Sequence, residues 1–185
     1  MKIWKKSRIN EYLWALYWKR MRINLLCIGK TDDKEITSLI GYYLNRLPKH
    51  WNFEIIEIPD VKNAKNLSPD LLKKEEAKLF LNHIDKNDLV IILDEKGKQY
   101  TSREFSQKID NWMNSSVKKI HLLIGGAYGF SEEIYSRTNE KISLSKMTFT
   151  HQMIRLFIVE QLYRADQILQ GKPYHNDWQD SEFTV

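Results

Sequence analysis

Apolar positions along this chain alternate between two spacings. Solid apolar runs occupy 23–28, 88–94 (DLVIILD) and 120–124, and a mixed run covers 52–58. Runs of this length bounded by turn residues read as strands, and the continuous ones as strands buried on both faces. Between them the spacing becomes helical. Ile36, Leu39, Ile40, Tyr43, Leu44 and Leu47 lead up to Pro48, and Ser68-Pro69 opens a helix that should reach about residue 85. Thr101-Ser102-Arg103-Glu104 has the form of a capping box, with Phe105, Ile109, Trp112 and Met113 on one face of the helix that follows. Thr150 caps a last long helix whose apolar face is Ile154, Phe157, Ile158, Leu162, Ala165, Ile168 and Leu169, stopped at Gly171-Lys172-Pro173. Strands alternating with helices, without internal repeats, predict one α/β domain with a mostly parallel sheet and helices on both faces.

Residues 119–164 organise the rest. They read as strand, glycine turn, short helix, short strand and long helix. The strand stops at Gly125-Gly126, with Gly129 three residues on. Bare backbone at the carboxyl end of a parallel strand is where α/β sheets receive ligands, although a tight turn alone explains the same glycines. The second break, Leu144-Ser145-Lys146-Met147-Thr148-Phe149, precedes the cap of the last helix and mixes a hydroxyl, a thioether and an aromatic ring. Such a loop exposes backbone donors able to hold a base and a polar tail, or is an ordinary connection.

Charge changes the picture less than the net +5 implies. Residues 1–20 hold six basic groups and one acid, and the remainder balances 23 basic against 23 acidic. A phosphate-binding surface must therefore be local. The apolar core at 12–18 is too short to span a bilayer and lacks a small-residue cleavage site. Residues 1–20 read as an extension outside the fold, with Met21 as an alternative start, or as a basic amphipathic helix. The lone Cys27 excludes an internal disulfide and fits a reducing, cytoplasmic setting.

Metal-binding and common catalytic signatures are absent: no Cys-x-x-Cys, no His-Glu-x-x-His, no G-x-S-x-G, and five histidines without ligand spacing. The glycine turn matches neither the dinucleotide fingerprint nor the phosphate loop, so a nicotinamide enzyme is disfavoured. His151 and Arg155 lie four apart at the start of the last helix. Spacing puts them on one face, the first as a candidate base and the second as a phosphate or base-edge contact; surface decoration is the plain alternative. Arg164 with Glu160 reads as a helix-surface ion pair.

LLIGGAYGFS, then SLSKMTFTHQMIRLFIVEQLYRA and KPYH, closely resemble the SPOUT-class large-subunit rRNA pseudouridine N3-methyltransferases of the RlmH type. The likeness extends over 21–175, including CIGK, EIIEIPD and VIILDEKGK. It implies a SPOUT-type α/β knot, with the C-terminal part threaded as a trefoil, and a homodimer that binds S-adenosyl-L-methionine in the knot. By this resemblance Leu93, Gly125, Gly126, Leu144, Ser145, Lys146, Met147, Thr148 and Phe149 hold the donor. His151 and Arg155 are implied at the chemistry, and Arg155, Arg164, Tyr174 and His175 on the substrate side. The implied target is N3 of pseudouridine 1915 in helix 69 of 23S rRNA in the assembled ribosome, with no role at a membrane or on DNA. A related enzyme on another RNA, or a non-enzymatic ribosome-binding module, would share much of this pattern. Thr150 stands where many relatives have proline, and 176–185 continues past the Tyr-His pair as a polar tail with three acids.

Overall fold

The computed structural model describes residues 22–172. The expectations for the 1–20 extension, for Tyr174 and His175, and for the 176–185 tail lie outside the described residues. Five strands form one sheet: β1 (Arg22–Ile28), β2 (Glu54–Ile58), β3 (Leu89–Gln99), β4 (Lys119–Ile124) and β5 (Glu140–Ser143). Their order is β2-β1-β4-β3-β5, and every pairing is parallel. Four α-helices connect them, α1 (Lys34–Leu44), α2 (Pro69–Leu81), α3 (Ser102–Met113) and α4 (Glu132–Arg137), and α5 (His151–Leu169) follows β5.

Strand periodicity builds the layers. Ile23, Leu25 and Cys27 of β1, Ile91 of β3 and Ile120, Leu122 and Ile124 of β4 enter a core completed by Phe105, Ile109 and Trp112 of α3 and Ile158, Val159 and Leu162 of α5. The alternate positions Leu26, Ile28, Val90, Ile92 and Leu123 meet Ala77 and Phe80 of α2 and Ile134 of α4. Successive side chains point to opposite faces, so a solid apolar run is what a doubly covered strand requires. Each large side chain so buried contributes roughly 1.5–3 kcal/mol, and a one-residue slip would move all of them to the wrong layer.

The helices start where their caps dictate. Asp33, Ser68, Thr101 and Thr150 each accept a backbone N–H of the first turn through the side chain, and Thr101 with Glu104 completes the reciprocal box.

Several boundaries differ from the sequence reading, beginning with α1, which stops at Leu44 and leaves Leu47 in the turn that follows. β2 begins at Glu54 rather than at residue 52, because Asn52 takes a left-handed conformation (φ 42°) that ends the preceding turn. α2 stops at Leu81, short of residue 85. β3 runs on to Gln99 instead of ending at Asp94: after an irregularity between Leu93 and Lys98 it resumes pairing with β5 at Ile142 and Ser143. Gly97 makes this continuation feasible, since a Cβ there would lie 2.5 Å from the carbonyl carbon of Ile142 and 2.7 Å from the nitrogen of Ser143.

Candidate functional site

The irregular stretch of β3 after Leu93 and the carboxyl ends of β4 and β5 open into one cleft of about 610 Å³, within the usual size range of small-molecule sites. Its floor is the exit of β4. The chain turns back at once, with Gly129 N donating to Gly126 O at 3.1 Å. A Cβ on Gly125 would stand 3.2 Å from the Gly129 carbonyl and 3.3 Å from the Phe130 ring, and one on Gly126 would strike the Glu76 carboxylate. At Gly125 the obstacle is backbone and an aromatic ring that fold back under the turn, whereas at Gly126 it is the end of a side chain that can move.

One wall is the irregular stretch of β3 that follows Leu93. Asp94 accepts the Tyr135 hydroxyl at 2.6 Å on one oxygen and the Lys96 amide at 2.8 Å on the other. Burial, then the bond to Asp94, pushes the Tyr135 phenol up to about 12, so it stays a donor at neutral pH. Glu95 stands beside Asp94 in the lining.

The opposite wall is the loop between β5 and α5. Ser143 Oγ donates to the Ser145 carbonyl at 2.7 Å, and Ser145 Oγ accepts the Met147 amide at 2.9 Å. Phe149 ends the loop edge-on against Phe157, ring centres 4.9 Å apart. Serine hydrogen bonds and one aromatic contact thus shape a segment that has no regular structure of its own.

The structure brings the two breaks together. Leu93, Gly125, Gly126, Leu144, Ser145, Met147, Thr148 and Phe149 all line the cleft, and so does His151 at the first position of α5. Lys146 is exposed and outside the lining. Arg155 corrects the spacing argument that pairs it with His151. Its side chain is fully buried, does not line the cleft, and bonds Ile28 O, Thr31 Oγ1 and Glu57. A guanidinium needs several acceptors once it leaves water; the ends of β1 and β2 and Thr31 supply them for Nη1 and Nη2, while Nε finds none among the described residues. It cannot grip a phosphate in this arrangement. Arg164 bonds Glu160 through Nε at 3.1 Å and Nη2 at 2.7 Å, the helix pair that the spacing predicts, and also lies outside the lining.

Asp94 and Tyr135 escaped the sequence reading as site residues. Asp94 ends an apolar run, which is a usable signal; Tyr135 has none, because only the fold brings it to Asp94. Among the described residues no cluster of His, Cys, Asp and Glu could hold a metal ion, and no helix is long and apolar enough to cross a membrane.

Known proteins match this sequence over most of its length. A family profile described as "Predicted SPOUT methyltransferase" matches residues 21–175. A Christiangramia forsetii protein named "Ribosomal RNA large subunit methyltransferase H" is 52% identical over 156 residues, 84% of this chain and 99% of its own length. Proteins of the same name from Cytophaga hutchinsonii and Flavobacterium johnsoniae are 51% and 49% identical, each over 84% of this chain and 100% and 99% of their own lengths. Matched over most of its length by both the profile and these relatives, the chain belongs to the SPOUT methyltransferase family.

Proposed function

We propose that this protein transfers a methyl group from S-adenosyl-L-methionine to large-subunit rRNA, at N3 of pseudouridine 1915 in helix 69 of 23S rRNA within the assembled ribosome. The observation that carries the reading is the meeting of the Gly125-Gly126 turn and the 144–149 loop in one cleft with His151 at its edge. The relatives' shared name supplies the substrate class.

The residues fit the donor. Gly125 and Gly126 line the floor of the cleft, and Leu93, Leu144 and Phe149 offer apolar cover. Asp94 and Glu95 place negative charge beside a ligand whose sulfonium is positive. When bound, the donor supplies an activated methyl whose thioether leaves neutral, so the protein needs neither metal nor acid on that side.

What remains for this chain is to orient the target nitrogen and to accept its proton. His151, exposed on the cleft edge, is the residue available for that step, directly or through one water. Tyr174 and His175, with Arg164, would hold an unpaired loop base and its phosphates. A second copy of the chain completes the site as a homodimer, and the trefoil threading of the SPOUT domain at 21–175 belongs to the same reading.

The test is incorporation of labelled methyl into purified ribosomes, paired with calorimetry of the donor alone. Donor-dependent label at the pseudouridine, with turnover falling steeply in His151→Ala, is the expected result. Absence of donor heat would instead favour a non-enzymatic ribosome-binding module, and label at another base would move the target.

A further inference from the structure

The cleft wall that faces the 144–149 loop has no ladder to hold it. β3 breaks its register with β5 between Leu93 and Lys98, and Asp94 is the first residue of that detour. An interrupted strand re-aims the side chains it carries, and here the side chain of Asp94 ties the stretch down. One carboxylate oxygen accepts the amide of Lys96 at 2.8 Å, a local turn bond of the kind aspartate makes readily. The other accepts the hydroxyl of Tyr135 at 2.6 Å, from a residue 41 positions away on α4. The Tyr135 ring packs edge-on against Phe130, ring centres 6.3 Å apart, and Phe130 lines the same cleft.

These two donors to Asp94 are neutral. Among the described residues no ion pair involves Asp94 or the adjacent Glu95. Lys96 also lines the cleft, yet Asp94 takes its backbone amide and not its ammonium. The carboxylate thus keeps its charge, and each oxygen retains a lone pair, on the wall of the space that a cationic donor would fill. A group already restrained at two points loses less freedom when its ligand arrives than one that must first be ordered. We propose that Tyr135 is a positioning residue for the methyl donor, holding the Asp94 carboxylate at the cleft wall as the group that reads the positive charge on the donor's sulfur.

The proposal rests on the donor reading of the cleft and assigns a task to a residue that carries no charge of its own. Burial, then the bond to Asp94, keeps the Tyr135 phenol protonated across the neutral range, so the hydroxyl always donates and the carboxylate always accepts.

The experiment is calorimetry of wild type, Tyr135→Phe, Asp94→Asn and the double variant with two ligands. One is S-adenosyl-L-methionine; the other is S-adenosyl-L-homocysteine, which lacks the methyl and with it the charge on sulfur. Phenylalanine keeps the ring against Phe130 and beside Lys141, so thermal unfolding should change little. Tyr135→Phe should bind the charged ligand about three- to tenfold more weakly, the net worth of one hydrogen bond, and the neutral one within about twofold of wild type. Adding Tyr135→Phe to Asp94→Asn should cost less than about twofold more, because the hydroxyl then has no charge to aim.

Equal losses for the two ligands in Tyr135→Phe would make the shape of the wall the cause and overturn the proposal. Undiminished affinity for the charged ligand does the same, as does a full Tyr135→Phe effect in the Asp94→Asn background. If Tyr135→Phe fails to fold, Asp94→Asn decides: an unchanged preference between the ligands overturns the proposal, and a smaller one supports it. A wild-type protein that binds neither ligand overturns the reading of the cleft together with this one, whereas the other outcomes strike Tyr135 and Asp94 alone.

Discussion

Nη2 of Arg155 donates a 2.6 Å hydrogen bond to the carbonyl oxygen of Ile28, joining residues 127 positions apart in the chain. Nη1 reaches Thr31 Oγ1 at 2.9 Å and Glu57 Oε1 at 3.4 Å, while Gln152 Oε1 accepts the Asp33 amide at 3.1 Å. The start of α5, which carries Thr150 and His151 into the cleft, is therefore anchored on the far side by the ends of β1 and β2. Arg155 acts on the site through this anchor and not by touching what binds there.

Arg155→Leu should accordingly behave as a stability variant. Glu57 is exposed and can turn to water, so the loss is that of the buried hydrogen bonds, above all the one to the Ile28 carbonyl, about 1–3 kcal/mol. Each kcal/mol lowers the melting temperature by roughly 2–4 °C in a domain of this size. Lysine keeps the charge but has no planar fork to reach three acceptors, so Arg155→Lys should recover little of the loss. Thermal unfolding of the two variants checks this. Weakened ribosome binding with an unchanged melting temperature would return Arg155 to the RNA surface.

Two glycines should respond to alanine in opposite senses. At Gly97 the new methyl meets only backbone, Ile142 and Ser143, which has no rotamer to yield. Gly97→Ala should destabilise by about 1–3 kcal/mol or more and weaken donor binding, because β5 leads directly into the 144–149 loop. Gly41 lies inside α1, and a Cβ added there would meet nothing within 4 Å. Gly41→Ala should stabilise by roughly 0.5–1 kcal/mol, the helix preference of alanine. Urea denaturation of both proteins gives the comparison, and a stabilised Gly97→Ala would mean that β3 does not cross β5 so closely.

These contacts mark the limit of what the chain discloses on its own. The strands were readable because Ile23–Ile28 and Ile120–Ile124 are solid apolar runs, and the helix starts because Ser68, Thr101 and Thr150 carry a cap within three residues of the amide they bind. Both signals are local. The two breaks that form the cleft could be found for the same reason, as departures from a local period. The guanidinium of Arg155 could not be placed, since helical spacing gives a face but not the acceptors, which come from β1 and β2. Glu76 hides in KKEEAK, a string that reads as a solvated helix face until α2 is laid against the glycine turn. The strand order, and the resumption of β3 beyond Gly97, are likewise properties of pairing at a distance.

Cys27 should resist thiol reagents in the folded protein. It is fully buried on β1, and burial pushes its thiol up to about 12, with Arg155 pulling down and Glu57 adding to the rise. Only the thiolate is reactive, and almost none exists at neutral pH in such a site. Labelling with a chromogenic disulfide should therefore track unfolding, fast in urea and slow in native buffer. Prompt stoichiometric labelling of the native protein would show that β1 is open to solvent.

Acid should weaken the fold through a buried histidine. His121 on β4 is buried between Asn24, whose Nδ2 lies 3.4 Å from Nδ1, and Asp88, whose carboxylate lies 2.9 Å from Nε2. Burial holds its imidazole below the usual 6.5; the bond to Asp88 opposes this, and Lys119 and Arg137 add to the lowering. An unfolded chain takes up that proton near 6.5, while the folded chain resists it until lower pH. The unfolded state thus binds more protons in between, so this contribution is complete above 6.5 and drains away as pH falls toward the depressed folded value. His50, also lowered by burial, works in the same direction, and the raised Glu76 in the opposite one. Unfolding free energy measured in urea should fall between about pH 7.5 and 5.5, the range in which free histidine charges. His121→Gln removes the titrating ring and should flatten that fall while lowering stability at the neutral end. An equal slope in the two proteins would assign the acid sensitivity to other groups and leave the Asn24-His121-Asp88 chain as packing alone.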